Sequence, residues 1–197
     1  MEVASITDLK RMFHNTMLRA PYYFVLDVES IGLYGDGYAA GIVVIDRGGI
    51  VQEDKRLLWG LDWEHERSTH PEEYAWYCQN VAPHQLPVTH QFLISMRHAF
   101  WNFWVSWRAR GAVLVADCPF PVETNFLSAC VKEARANNIP DSPYPLLDVG
   151  TLLLACGLSP LGTYPRRPDE LPKHDPLADA RQSARLLIEC LDYLNVV

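Results

Sequence analysis

The sequence predicts a mixed α/β fold whose central sheet opens as a three-stranded antiparallel meander and continues with strands that alternate with helices. Three observations predict it. Residues 22–58 hold two apolar, β-branched stretches and a third, more polar one, separated by glycine turns. From residue 72 the apolar positions change to helical spacing, interrupted by short apolar stretches at 112–116 and 146–149. The last stretch starts with an aspartate-proline pair and then keeps its apolar residues on one helical face.

The elements follow in order. Residues 22–28, Tyr-Tyr-Phe-Val-Leu-Asp-Val, read as a buried strand introduced by Pro21. Gly32, Gly35 and Gly37 make a turn into a second strand at 39–46, and Gly48-Gly49 turns into a third at 50–58. A helix at 72–80 has Thr69 or His70 ahead of Pro71 and two glutamates in its first turn. A longer helix at 89–110 ends at Gly111. Residues 112–116 read as a strand, and 121–137 as a helix with Pro121 in its first turn. Leu146-Leu147-Asp148-Val149 is a last strand, followed by a short helix to Cys156. Residues 157–173 carry four prolines and two glycines and read as a loop. Asp175 is a good N-cap and Pro176 a good first residue for a helix running to about Asn195, with Ala180, Ala184, Leu187 and Leu191 on its apolar face.

The 197 residues are 49% hydrophobic and 21% charged, the composition of one globular domain spanning 1–197, with a helical insert at 59–111. No apolar run is long enough to span a bilayer, and the polar first ten residues are not a secretory signal. Five widely spaced cysteines without a C-x-x-C pair favour reduced thiols and a cytoplasmic location. The net charge of −7 argues against tight binding to long duplexes, which calls for a basic face. It leaves room for a small site whose negative charge divalent cations offset.

Asp27 and Glu29 stand two apart on a strand, so both side chains leave the same face. Either they lie at the strand end in solvent, or they share a divalent cation, which turns their mutual repulsion into coordination. Near the other end of the chain His174 precedes Asp179 by five residues, where a helix starts. A histidine and several carboxylates brought together by folding are the equipment for metal-dependent phosphodiester cleavage.

Asp27-Val-Glu-Ser-Ile-Gly-Leu33, followed by a turn and an antiparallel strand, resembles the first motif of the DnaQ-like 3′–5′ exonucleases, D-x-E-T-x-G-L, with Ser30 in place of the usual threonine. His174, Asp179, Ala180 and Ala184 are similar to that family's H-x-x-x-x-D-A-x-x-x-A motif, which marks its DEDDh branch. The second motif is looser. Oligoribonuclease-like members carry an aspartate four residues ahead of a leucine on the helix after a strand, and here Glu123 stands at that position, ahead of Leu127. Asp117, at the end of the preceding strand, is its rival.

The resemblance implies a ribonuclease H-like fold with helices flanking the mixed sheet, and a two-metal phosphodiesterase. Asp27, Glu29, Glu123 and Asp179 would hold two Mg²⁺ or Mn²⁺ ions, and His174 would act as general base. Ser30, Ile31, Gly32, Leu33 and Tyr34 would lie along the 3′-terminal nucleotide. The substrate would be the 3′ end of single-stranded RNA or DNA, and the products nucleoside 5′-monophosphates. RNA is favoured, because the second motif aligns best with oligoribonuclease-like exoribonucleases and the acidic charge suits short or end-bound substrates. A non-catalytic protein that binds nucleic-acid ends or a partner on the same fold is the alternative, raised by the glutamate in the second motif.

Outside these motifs, the aromatic series Phe100, Trp101, Phe103, Trp104 and Trp107 has helical spacing. It reads as core or as the interface of a homo-oligomer rather than as a base-stacking surface. An exposed aromatic helix around Trp104 would also suit a subunit of a larger complex. His65 and His70 match no zinc spacing. Arg166, Arg167 and Lys173, in the loop before His174, either meet substrate phosphates or are solvated.

Overall fold

A computed structural model describes residues 19–81, 86–134 and 141–194. The meander forms as its glycine turns require: β1 (Tyr22–Ser30), β2 (Gly37–Asp46) and β3 (Val51–Leu58) pair antiparallel. β4 (Ala112–Ala116) lies parallel to β1, and β5 (Leu146–Asp148) parallel to β4, giving the sheet order β3-β2-β1-β4-β5. With six helices around it among the described residues, this is the α/β, ribonuclease H-like mixed sheet that the motifs implied.

The helices are α1 (Trp63–Thr69), α2 (Pro71–Asn80), α3 (Leu93–Arg108), α4 (Val122–Ala134), α5 (Val149–Ala155) and α6 (Pro176–Tyr193), with a 3₁₀ turn at Pro168–Glu170. α3 starts later than the expected 89, because Thr89 and His90 donate their backbone N–H groups to Leu58 O and leave the helical path, and it ends at Arg108 rather than at the expected 110. α1 was not expected. Asp62 caps it by accepting from the Glu64 and His65 N–H groups, yet it buries no residue, so the sequence carries no apolar face to announce it. The expected ends at 137 and Asn195 lie outside the described residues.

Strand alternation divides the core into two layers. Phe24, Leu26 and Val28 of β1 face α3 and α4, where Met96, Phe100, Phe103, Trp104 and Phe126 pack on them. Tyr23 and Val25 face α5 and α6, against Val149, Leu153, Ala180, Leu187 and Leu191. Phe100, Phe103, Trp104 and Trp107 of the aromatic series are therefore core, with Trp104 1% exposed, whereas Trp101 is half-buried at the edge of that layer.

Two local devices set the geometry at the end of β1. Asp27 pairs with Gly41, and a Cβ at Gly41 would come within 2.0 Å of the Pro176 backbone. Only glycine lets the start of α6 rest on β2 at this point. After Glu29, two residues on, the β1–β2 register shifts: Glu29 faces Ala39 and Ser30 faces Gly37, which leaves Tyr38 as the extra residue of a bulge. Tyr38 turns into a third apolar cluster with Ile31, Ala39, Leu58 and Leu61, against Trp63 and Tyr77 of α1 and α2. The bulge thereby seats the helical insert beside the end of β1.

Candidate active site

Asp27 and Glu29 continue the β1 face that carries Tyr23 and Val25, so they point toward α6. Asp175 starts that helix, accepting from the Leu177 and Ala178 N–H groups. It is itself gripped by Arg56 of β3, through Nε at 3.2 Å and through Nη2. The first turn of α6 then presents Asp179, whose Oδ2 accepts from the His174 N–H at 2.9 Å. His174 has φ +62°, a left-handed backbone that a non-glycine residue adopts only when its surroundings hold it. Its Nδ1 lies 3.9 Å from Glu29 Oε1. Glu29, His174 and Asp179 each bring a potential ligand atom within 4.8 Å of the others.

Glu123 reaches the same place from the opposite layer. It is 6% exposed on the first turn of α4, and its Oε1 accepts from the Val28 N–H at 3.1 Å, between Asp27 and Glu29 in the chain. Asp117 is differently engaged. It lies with Cys118 and Asp148 in a second cluster, its pKa raised first by burial and lowered by the Cys118 thiol. Asp148 caps α5, accepting from the Cys118, Gly150 and Thr151 N–H groups, so its carboxylate is occupied by the fold.

The charge balance of the site is unusual. Burial, then repulsion from Asp179 and Glu123, pushes the Glu29 carboxyl up to about 8. Burial is also the first cause for Glu123, pushed up to about 7, with Asp117 adding to it. Asp27 is raised well above the carboxylate range by burial and then by Glu29, Asp179 and Glu123. A protein-only environment therefore disfavours the charged forms of three neighbouring acids.

A cleft of about 430 Å³ opens beside these groups, lined by Val28, Glu29, Ser30, Gly32, Leu33, Glu72, Glu73, Trp76 and Val122. Of the first-motif residues expected along a nucleotide, Ser30, Gly32 and Leu33 line it. Ile31 is instead buried in the third apolar cluster, because the turn after β1 carries it inward. Tyr34 is 79% exposed and outside the lining. The Ser30 hydroxyl donates to Gly32 O at 2.5 Å, and Gly32 takes φ +65° with the Glu73 stem packed against it. Trp76, which no motif marked, stands edge-on to the His174 ring with centroids 5.1 Å apart. Arg166 turns inward onto Asp179, whereas Arg167 and Lys173 are exposed. His65 and His70 are exposed on α1 and its cap, away from this cleft.

No family model and no curated protein sequence matches the chain. Among solved structures, it is similar to a product-bound structure of exonuclease I, with a TM-score of 0.54 and 12% sequence identity over 89% of this chain. At that identity the likeness is one of fold. The chain spans 46% of the length of that exonuclease chain.

Proposed function

We propose that the chain is a metal-dependent 3′–5′ exonuclease that hydrolyses single-stranded nucleic acid, RNA in preference to DNA, to nucleoside 5′-monophosphates. The observation that carries the reading is the convergence of Asp27, Glu29, Glu123 and Asp179 with His174 at the edge of an apolar-walled cleft. The structural likeness to exonuclease I supports it.

The residues fit a divalent-cation centre. The donors are hard carboxylate oxygens, which suit Mg²⁺ or Mn²⁺. The raised Glu29 and Glu123 pKa values mark a site short of positive charge. When bound, two such ions would supply an acidified water and stabilisation of the leaving 3′ oxygen.

The chain's own residues do the rest. Asp27 and Glu29 are aimed by the β1 pleat, Glu123 by its bond from the Val28 N–H, and Asp179 by its bond from the His174 N–H. His174 accepts the proton of the attacking water on its imidazole, with Trp76 fixing the ring edge-on. Val28, Leu33, Trp76 and Val122 offer apolar walls to the terminal base, and the Ser30–Leu33 turn positions its sugar. The oligoribonuclease-like second motif and the acidic net charge support RNA and short or end-bound substrates.

Replacing Asp27 and Glu29 together by alanine tests the reading. With Mn²⁺ and a 3′-labelled single-stranded oligoribonucleotide, release of nucleoside monophosphate should fall by roughly three orders of magnitude, about 4 kcal/mol of transition-state stabilisation. Turnover equal to the parent's would remove the proposal.

A further inference from the structure

The loop before His174 is tied to α6 by an ordered set of bonds. Glu170, 2% exposed on the 3₁₀ turn, accepts from Arg185 Nε at 2.6 Å and Nη2 at 2.9 Å, and from the Arg167 N–H at 2.9 Å. Arg185 also donates to Pro165 O at 2.9 Å, and Gln182 to Tyr164 O at 3.3 Å. The middle of α6 thus holds the segment 164–170 against the helix. That attachment returns Arg166 to the helix's first turn, where one Nη1 donates both to Glu170 O at 2.8 Å and to Asp179 Oδ1.

Both oxygens of Asp179 are consequently engaged, Oδ1 by Arg166 and Oδ2 by the His174 N–H. Two donors on two oxygens fix the plane of a carboxylate, and each oxygen keeps a second lone pair for another partner. Asp179 still presents an atom within 4.8 Å of Glu29 and His174.

We infer that Arg166 is a positioning residue: held by Glu170, it orients the Asp179 carboxylate toward Glu29 so that the acid is preset as a divalent-cation ligand. The inference rests on the metal-dependent reading above. Outer partners of metal-ligating carboxylates set ligand orientation, and their loss typically weakens metal binding by roughly 10- to 100-fold.

The test is calorimetric titration of Mn²⁺ into the full chain without nucleic acid, with melting of the metal-free protein measured alongside. Arg166→Gln should weaken Mn²⁺ binding roughly 10- to 100-fold. Arg166→Lys keeps the charge, but its ammonium ends about one bond short of the Nη1 position that donates to both Glu170 O and Asp179, and it should also bind more weakly, by about tenfold. Parent-like Mn²⁺ affinity in both variants overturns the inference, whether or not the melting temperature falls, because it leaves Arg166 a structural role alone. Tighter Mn²⁺ binding in Arg166→Gln overturns it too, since Arg166 would then compete with the ion. If the parent itself takes up no Mn²⁺, the nuclease reading falls together with this inference.

Discussion

Glu170 and Glu29 are both withdrawn from solvent, yet the protein treats them in opposite ways. Glu170 receives two nitrogens of Arg185 and a backbone N–H, and Arg185 holds its carboxyl below the usual carboxylate range against the opposing effect of burial. Glu29 faces Asp179 and Glu123, and burial followed by these acidic neighbours lifts it to about 8. Asp175 belongs with Glu170, gripped by Arg56 and by two helix N–H groups. Asp179 sits on the boundary, with Arg166 on one side and the acids on the other. Acids that carry structure have their countercharge built in, whereas the acids at the end of β1 lack, among the described residues, one that matches their number. A buried like-charge group is costly for the fold unless a proton or a cation offsets it.

That contrast predicts which changes affect chemistry and which affect stability. The largest effect falls on turnover. His174→Ala should reduce kcat by roughly 10²- to 10⁴-fold, the usual span for a general base, while Mn²⁺ affinity and melting stay close to the parent's. Single-turnover hydrolysis and calorimetry check both halves, and a kcat like the parent's would strip His174 of its role.

On the structural side, Glu170→Ala leaves Arg185 without its buried partner. The expected loss is roughly 3 kcal/mol, the low end for breaking such a pair because Glu189 also contacts Arg185. For a chain of this length that is a fall of roughly 6–12 °C in Tm. An unchanged melting curve would place Glu170 with the dispensable surface acids.

The smallest effect is a pH dependence with a definite sign. Between the ordinary glutamate range and about 8, the folded metal-free chain holds a proton on Glu29 that the unfolded chain has lost. Stability should therefore be greatest at the acid end of that window and fall as pH rises through it, by roughly 1–3 kcal/mol once coupling to Glu123 and Asp27 is allowed for. Melting in EDTA at pH 5, 6.5 and 8 measures the slope, and Glu29→Gln should flatten it. A slope of opposite sign would mean that the cluster already has its countercharge.

The parts of this arrangement that are local in the chain were legible in the sequence. The D-x-E pair read as two carboxylates on one strand face because alternation alone puts them there. Asp175-Pro176 read as a helix start because cap and first-turn preferences are local, and the side chain does accept from Leu177 and Ala178. What stayed hidden depends on contacts between distant segments. Gly41 looked like an ordinary strand residue, and only the approach of Pro176 gives it a purpose. The bulge at Tyr38 shifts register without any turn residue to signal it. Trp76 meets His174 across the sheet's end from a segment with no motif. Arg166 lies in a proline-rich loop whose basic residues read equally as phosphate contacts or as solvated, and its bond to Asp179 appears only once Glu170 and Arg185 are seen holding the loop. Glu123 and Asp117 were rivals in the sequence, and their surroundings differ: Glu123 is bonded to β1, whereas Asp117 is grouped with Cys118 and Asp148.

The central claim is that the acids at the end of β1 form a site completed by divalent cations. Calorimetric titration of Mn²⁺ into the parent chain with a nucleoside 5′-monophosphate present tests it most directly. The account predicts uptake of two equivalents, lost in the Asp27→Asn, Glu29→Gln double variant. No uptake by the parent would contradict it and would favour a non-catalytic binder on the same fold.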